Sequence, residues 1–424
     1  MRTPASSRSA LTRRGVIGAS LAGGALVTTA RFAPSSRAAY PAILKPTPAD
    51  QFVDFGTNAE MRWDSVEPGR YLTDQARLFV RNHTSTPTID RTSWRLRIFG
   101  DGLATPRTES SALSLSFDDL RRLPRTTIES VHECTGNGRS FFATQQGTPA
   151  AGTAWKLGAV GTVVWEGVRL RDVLRRVGLS PEAVSIQATG LDPSYVTGGV
   201  DYGPVRRPFP VSKGLDDAIL AWGINGEPLL PDHGFPLRLV LPGWVGIGSI
   251  KWLGSLEVAR TELTSPWNTK WYVMTGGSYP PGQPPLSVNP VRSAWELPFP
   301  ATLAAGRTAT LTGRAWSGQA PVSRVDVSLD GGTTWRAAEL LDGRTDGSHR
   351  GRTGAGPGPG HHRPAIRGFG WSRFAVTWRH PAAGSYTLMA RATDRDARQQ
   401  PLTTPFNDNG YFFDAVVRHP VTVA

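Results

Sequence analysis

Apolar Trp94, Leu96 and Ile98 alternate with Arg95 and Arg97, which predicts a strand buried on one face. Ser116 stands where it can cap a short helix running to Leu123, with Pro124 as its stop. Residues 126–132 predict a strand that runs into the turn-rich string Cys134-Thr135-Gly136-Asn137-Gly138. Leu170, Val173, Leu174 and Val177 recur at helical spacing, and Gly178 ends that helix. Strands are expected at 184–189 and 237–241, a short helix near 215–222, and irregular chain across the proline-rich stretch 40–75. Beyond a Pro/Gly-rich connection at 275–290 the pattern changes to short alternating strands at 308–316, 322–329, 371–379 and 385–393. Asp330-Gly331-Gly332 between Val327 and Trp335 is a hairpin turn signal. The expected class is α+β: a mixed α/β domain over residues 39–285, then an immunoglobulin-like β-sandwich over 286–424. A Gly/Pro-rich surface insertion is expected at 343–363.

Composition sharpens this picture in three ways. Gly (47) and Pro (35) make up about a fifth of the 424 residues, which favours loops and strands over long helices. A single cysteine excludes an intrachain disulfide, a CxxC redox pair and any multi-cysteine zinc or iron–sulfur site. The formal net charge is +13, but the first 38 residues hold six Arg and no acid, so the rest carries +7. Such a surface can steer an anionic substrate or acidic partner, or serve solubility alone. The basic residues are scattered and no nucleic-acid-binding signature occurs, so nucleic acid is not an expected partner.

Residues 1–38 read as an address. Arg13-Arg14 precede a weakly apolar stretch from Val16 to Val27, shorter than the about 20 residues of a membrane-spanning helix. Ser36 and Ala38 have the spacing of a cleavage site. The segment resembles a twin-arginine export signal, with an ordinary secretory leader or a basic tail as alternatives. The expected location is periplasmic or extracellular, with no membrane span in the mature chain.

Cys134 opens a loop in which Gly136 and Gly138 let backbone amides approach a bulky anionic group. Arg139 adds positive charge, which favours a thiolate. The loop by itself leaves two readings: a soft metal ligand or nucleophile, or a buried inert thiol. His132-Glu133 lacks the second His of a zinc motif, and no GxSxG or Walker A string occurs.

Cys134-Thr135-Gly136-Asn137-Gly138-Arg139-Ser140 resembles the molybdenum-binding cysteine loop of the sulfite oxidase family of molybdopterin-dependent oxidoreductases. Further strings resemble the family in its order. They include Phe79-Val80-Arg81-Asn82-His83, Trp155-Lys156-Leu157-Gly158, Gly190-Leu191-Asp192, Asp232-His233-Gly234-Phe235-Pro236 and Lys251-Trp252-Leu253-Gly254. Arg314-Ala315-Trp316-Ser317-Gly318 and the string 325–332 resemble its dimerisation domain.

The resemblance implies a molybdenum cofactor, with Cys134 as the metal ligand and no haem in this chain. It implies that Phe79, Val80, Arg81, Asn82, His83, Asp192, His233, Arg238, Ser249, Ile250 and Lys251 hold the pterin and its phosphate. It places Arg81, Arg139, Trp155, Tyr272 and Arg373 at a small-anion pocket, with Arg373 reaching it from the second domain. From the residues alone, Arg238 reads as a structural ion pair, Trp155 as core and Tyr272 as a surface aromatic. Gly138 and Gly248 depart from positions where animal and plant members often carry Arg, and the cysteine loop leans toward sulfane dehydrogenases. The implied activity is oxidation of sulfite, or a related sulfur oxyanion, to sulfate by oxo transfer. Electrons would pass to a separate acceptor such as a c-type cytochrome, and a homodimer is expected. A sulfane dehydrogenase-like component of a thiosulfate-oxidising system, an oxo-transfer reductase and a non-enzymatic exported binding module are the alternatives.

Overall fold

The computed structural model describes residues 42–341 and 370–424, so the leader and the insertion expected at 343–363 lie outside the described residues. Two five-stranded sheets build the first half. One runs in the order Arg206–Pro210, Ser185–Gly190, Leu253–Ala259, Arg95–Phe99, Leu113–Ser116. The other runs Glu227–Pro228, Ile219–Ile224, Val160–Arg169, Arg125–Glu133, with Arg238–Val240 also paired to Ile219–Ile224. The second half stacks a four-stranded sheet (Arg292–Trp295, Ala309–Trp316, Ser372–Trp378, Glu339–Leu341) against a five-stranded one containing Val322–Ser328 and Gly384–Asp394. The architecture is the strand-rich α+β fold with an immunoglobulin-like sandwich that the patterning predicts.

Local chemistry explains the elements. Trp94, Leu96 and Ile98 are buried while Arg95 is exposed, as alternation demands. Ser116 caps the helix Phe117–Arg121 in a reciprocal box: Asp119 N donates to Ser116 Oγ (3.1 Å), and Ser116 N donates to Asp119 Oδ2 (2.9 Å). The helix Leu170–Val177 buries Leu170, Val173 and Leu174, and Gly178 ends it at φ +83°. The hairpin pairs Val327 with Arg336 around Gly331 and Gly332, both at positive φ. Two expectations are corrected. The helix near 215–222 lies earlier, at Val211–Asp216, and Ile219–Ile224 is a strand. That apolar run has strand neighbours on both edges and is almost wholly buried; at this length a buried strand and a buried helix look alike in sequence. The stretch 40–75 is not wholly irregular, since Phe52–Asp54 and Asn58–Met61 pair and Val80–Arg81 joins them.

The halves share a core. Phe52, Met61, Val80, Phe141 and Phe142 pack with Trp316, Trp371 and Phe413 of the sandwich side. Among the described residues no helix is long and apolar enough to cross a membrane.

Candidate active site

The strand Arg125–Glu133 delivers Cys134 to the middle of the molecule. Cys134 N donates to Ala159 O (2.9 Å), and Asn137 N folds back onto Cys134 O (2.9 Å). Glu133 fastens the loop from below. Its carboxylate accepts from Arg292 (2.6 Å), Asn137 Nδ2 (2.9 Å) and Trp316 Nε1 (2.8 Å). Gly138 has φ +85°, and a Cβ there would lie 2.6 Å from the Arg292 guanidinium, so Arg292 passes through the space a side chain would occupy. Burial pushes the Cys134 thiol up, while Arg81 and Arg139 pull it back. The balance without a metal is a raised thiol, so the local arginine alone does not make the thiolate that its position suggests.

Two clefts meet at Cys134. The first is lined by Phe79, Arg81, His83, Asp192, His233, Arg238, Ser249, Ile250 and Lys251, together with His132, Asp232 and Trp252. Its charge balance is unusual. Burial holds His83, His132 and His233 well below the ordinary imidazole range, with Arg81, Arg238, Lys251 and Lys45 adding to the effect. Lys251 is likewise driven far down by burial, and Arg238 to about 9. Burial raises Asp192 to about 6. Arg238 Nη2 lies 2.7 Å from His132 Nε2; a guanidinium only donates, so His132 accepts there and carries its proton on Nδ1. His132 also stacks on Phe79 (5.5 Å, 13°).

The second cleft shares Arg81, His83, Cys134 and Tyr272 with the first and adds Arg139, Trp155, Asn82, Tyr195, Trp271, Asn409 and Tyr411. Arg139 donates through Nε to Asn409 O (2.7 Å) and through Nη1 to Thr153 O (2.8 Å), and its plane lies over Tyr411 (5.7 Å). Tyr272 stacks on Tyr411 (5.1 Å, 15°) and has its hydroxyl 3.4 Å from His83 Nε2. Burial raises the Tyr272 phenol, so it stays protonated. Among the described residues lining this cleft there is no Asp or Glu.

The structure brings most of the expected residues together, with three exceptions. Val80 turns its side chain into the shared core, because alternation along Phe79-Val80-Arg81 sends neighbours to opposite faces. Asn82 lines the second cleft rather than the first, and its amide is engaged by Ala42 O (3.2 Å), Thr86 Oγ1 (2.9 Å) and Lys251 Nζ. Arg373 does not reach the pocket. It is bound to the buried Glu296 (3.2 Å), which also holds Arg314. The second half does contribute to the pocket, through Asn409 and Tyr411. Both sit in the long connection between Gly384–Asp394 and His419–Val423, where 407–410 read Asn-Asp-Asn-Gly. A structureless run of that length is itself a signal of function. His132 was signalled by its place two residues before Cys134, and Asp232 by its place beside His233.

The residues suit an anionic, metal-bearing cofactor. Arg238 Nε and the Thr135 hydroxyl are buried without a hydrogen-bond partner. Arg81, Arg238 and Lys251 outnumber Asp192 and Asp232 in the first cleft, and an anion there would relieve them. Among the described residues no three His, Cys, Asp or Glu side chains gather as a metal site, so a metal at Cys134 would draw other ligands from a cofactor.

Comparisons with known proteins agree. An oxidoreductase molybdopterin binding domain matches residues 83–267, and a Mo-co oxidoreductase dimerisation domain matches 291–423. Fold and site thus define a molybdenum-cofactor oxidoreductase. Sulfite oxidase of Gallus gallus is 33% identical over 352 residues, covering 78% of this chain and 68% of that protein. Mitochondrial sulfite oxidase of Homo sapiens is 37% identical over 282 residues, covering 64% of this chain and 49% of that protein. The chain belongs to the sulfite oxidase family of molybdopterin-dependent oxidoreductases. It spans about two thirds of the avian relative and about half of the human one. The crystal structure of the sulfane dehydrogenase SoxCD from Paracoccus pantotrophus superposes with a TM-score of 0.68 at 25% identity, covering 96% of each chain.

Proposed function

We propose that this chain oxidises sulfite, or a closely related sulfur oxyanion, to sulfate, releasing two protons and two electrons as one oxygen is gained from water. The observation that carries this reading is the carboxylate-free cleft in which Arg81 and Arg139 face Cys134. Two guanidiniums, Arg139 buried and Arg81 half-buried, with no acid bridging either among the described residues, favour an external anion. When bound, the cofactor supplies the two-electron oxo-transfer chemistry. Cys134 holds its metal, and Lys251, Arg238, His233 and Ser249 offer the polar atoms for its pterin and phosphate. Arg81 and Arg139 bind and orient the substrate anion, and protonated Tyr272 donates a hydrogen bond toward it. Trp155, fully buried against Phe55 and Phe79, keeps water from the inner wall.

A second reading, sulfane dehydrogenation, is favoured by two observations. The relative of that name covers nearly the whole chain, and the second-half wall of the pocket is neutral Asn409 and Tyr411 rather than a third arginine.

The electron acceptor is a separate protein such as a c-type cytochrome, the chain is exported by the twin-arginine route, and it works as a homodimer through the sandwich. The test is metal analysis with sulfite kinetics on protein from a cofactor-competent host. About one molybdenum per chain is expected, and Cys134→Ser should abolish turnover because a hydroxyl is a poor soft-metal ligand. Full activity without molybdenum would overturn the reading.

A further inference from the structure

The stretch that follows the leader is tied into the cofactor cleft by one carboxylate. Asp232 is 1% exposed and lines the first cleft. Its side chain accepts from the backbone amides of Leu44 (3.0 Å) and Lys45 (2.6 Å) and from the Thr86 hydroxyl (2.6 Å). Thr86 and Asn82 in turn hold Ala42 O (3.3 and 3.2 Å). The same cluster carries the cleft's cations. Lys251 Nζ donates to Asp232 O (2.9 Å) and to Asn82 Oδ1, and His233 is the next residue along. Lys45 is buried and donates to Ala76 O (2.8 Å) and Leu78 O (2.5 Å), beside the Phe79–His83 string. Leu44 exposes 39% of its surface, whereas Ile43 packs against the shared core and Lys45 is buried over the Phe52 ring (4.5 Å), so hydrogen bonds and packing together hold this strap down.

We propose that Asp232 is a positioning residue that couples residues 42–45 to cofactor occupancy: the strap orders when the cradle is loaded, and releases when it is empty. The physical basis is shared partners. Lys251 is oriented by the backbone carbonyl of Asp232 and by Asn82, and an anion drawing on Lys251 fixes the same backbone that presents the carboxylate to Leu44 and Lys45. Coupling of this kind is reciprocal, so the strap also slows cofactor loss. The inference rests on the cofactor reading.

Hydrogen exchange of the full chain, purified with and without cofactor from competent and deficient hosts, tests it on a peptide covering residues 42–52. Exchange at Leu44 and Lys45 should be slower in the loaded chain by on the order of ten- to a hundredfold, the weight of one hydrogen bond to a charged group. Asp232→Asn should erase that difference and leave less molybdenum after prolonged dialysis. Thr86→Val, which removes one bond without a charge, should do so partially and guards against a misfolded Asp232 variant. Equal exchange in loaded and empty wild-type chains, with molybdenum present in the former, overturns the coupling alone. A wild-type chain without molybdenum overturns the cofactor reading, and the coupling with it.

Discussion

Two groups of arginine serve opposite ends in this molecule. On the sandwich side, Arg314 and Arg373 share Glu296, and Arg292 pairs with Glu133. In the second cleft, Arg139 spends its bonds on the carbonyls of Thr153 and Asn409, and Arg81 on that of Asn82. Among the described residues no acid bridges either one. An arginine with an internal carboxylate has its charge matched inside the fold. One solvated only by carbonyl dipoles keeps its charge available for an anion from outside. The carboxylates show the same contrast. Burial would push Glu296 up, but Arg314 and Arg373 hold it below the usual range. Glu60, equally buried, has only the amides of Gly158 and Lys156 (2.8 Å each) and rises to about 7.

The largest way to break this comparison is Glu296→Gln. It strands two guanidiniums in the sandwich, and urea unfolding should show a loss of about 3–5 kcal/mol. Molybdenum content should be retained in whatever remains folded, because the cluster lies away from the clefts. Glu60 gives the next effect. Its folded pKa of about 7 exceeds the ordinary 4.5, so the folded chain binds more protons between those values, and stability falls as pH rises through them. Glu60→Gln removes this drop, and should gain on the wild type by on the order of 3 kcal/mol between pH 4.5 and 8, read by denaturation at both ends. A parallel pH dependence in both proteins would contradict it. Smaller again, Arg81→Gln or Arg139→Gln should cost about 1.5–3 kcal/mol of transition-state binding with the metal retained. Arg373→Gln should cost about 1–2 kcal/mol in stability, since Glu296 keeps Arg314, and nothing in catalysis.

These pairings mark where the sequence could and could not be read. Strands with a clear period, such as that around Trp94, Leu96 and Ile98, were legible because each residue's face depends only on its neighbours. The cysteine loop was legible because seven consecutive residues carry it. Arg373 was not. It stands opposite Arg314 in the register of Ala309–Trp316 with Ser372–Trp378, and its carboxylate partner lies 77 residues away. Which acid an arginine meets is a property of sheet register, and no local pattern encodes it. Asn409 and Tyr411 escaped for the same reason: their connection has no period, and long-range contacts such as Phe412 N on Thr135 O (3.0 Å) and Arg139 on Asn409 O bring it to the cysteine loop. The helix misplaced at 215–222 was a local ambiguity, resolved by strands on both sides of Ile219–Ile224.

The central claim is that Arg81 and Arg139, and not Arg373, receive the substrate anion. Steady-state sulfite kinetics on molybdenum-loaded Arg81→Gln and Arg373→Gln, with an artificial acceptor at constant pH, test it most directly. A roughly ten- to hundredfold fall in kcat/KM is expected for Arg81→Gln, with competition by sulfate weakened alongside, and wild-type values for Arg373→Gln. A loss confined to Arg373→Gln, with Arg81→Gln unchanged, would contradict it.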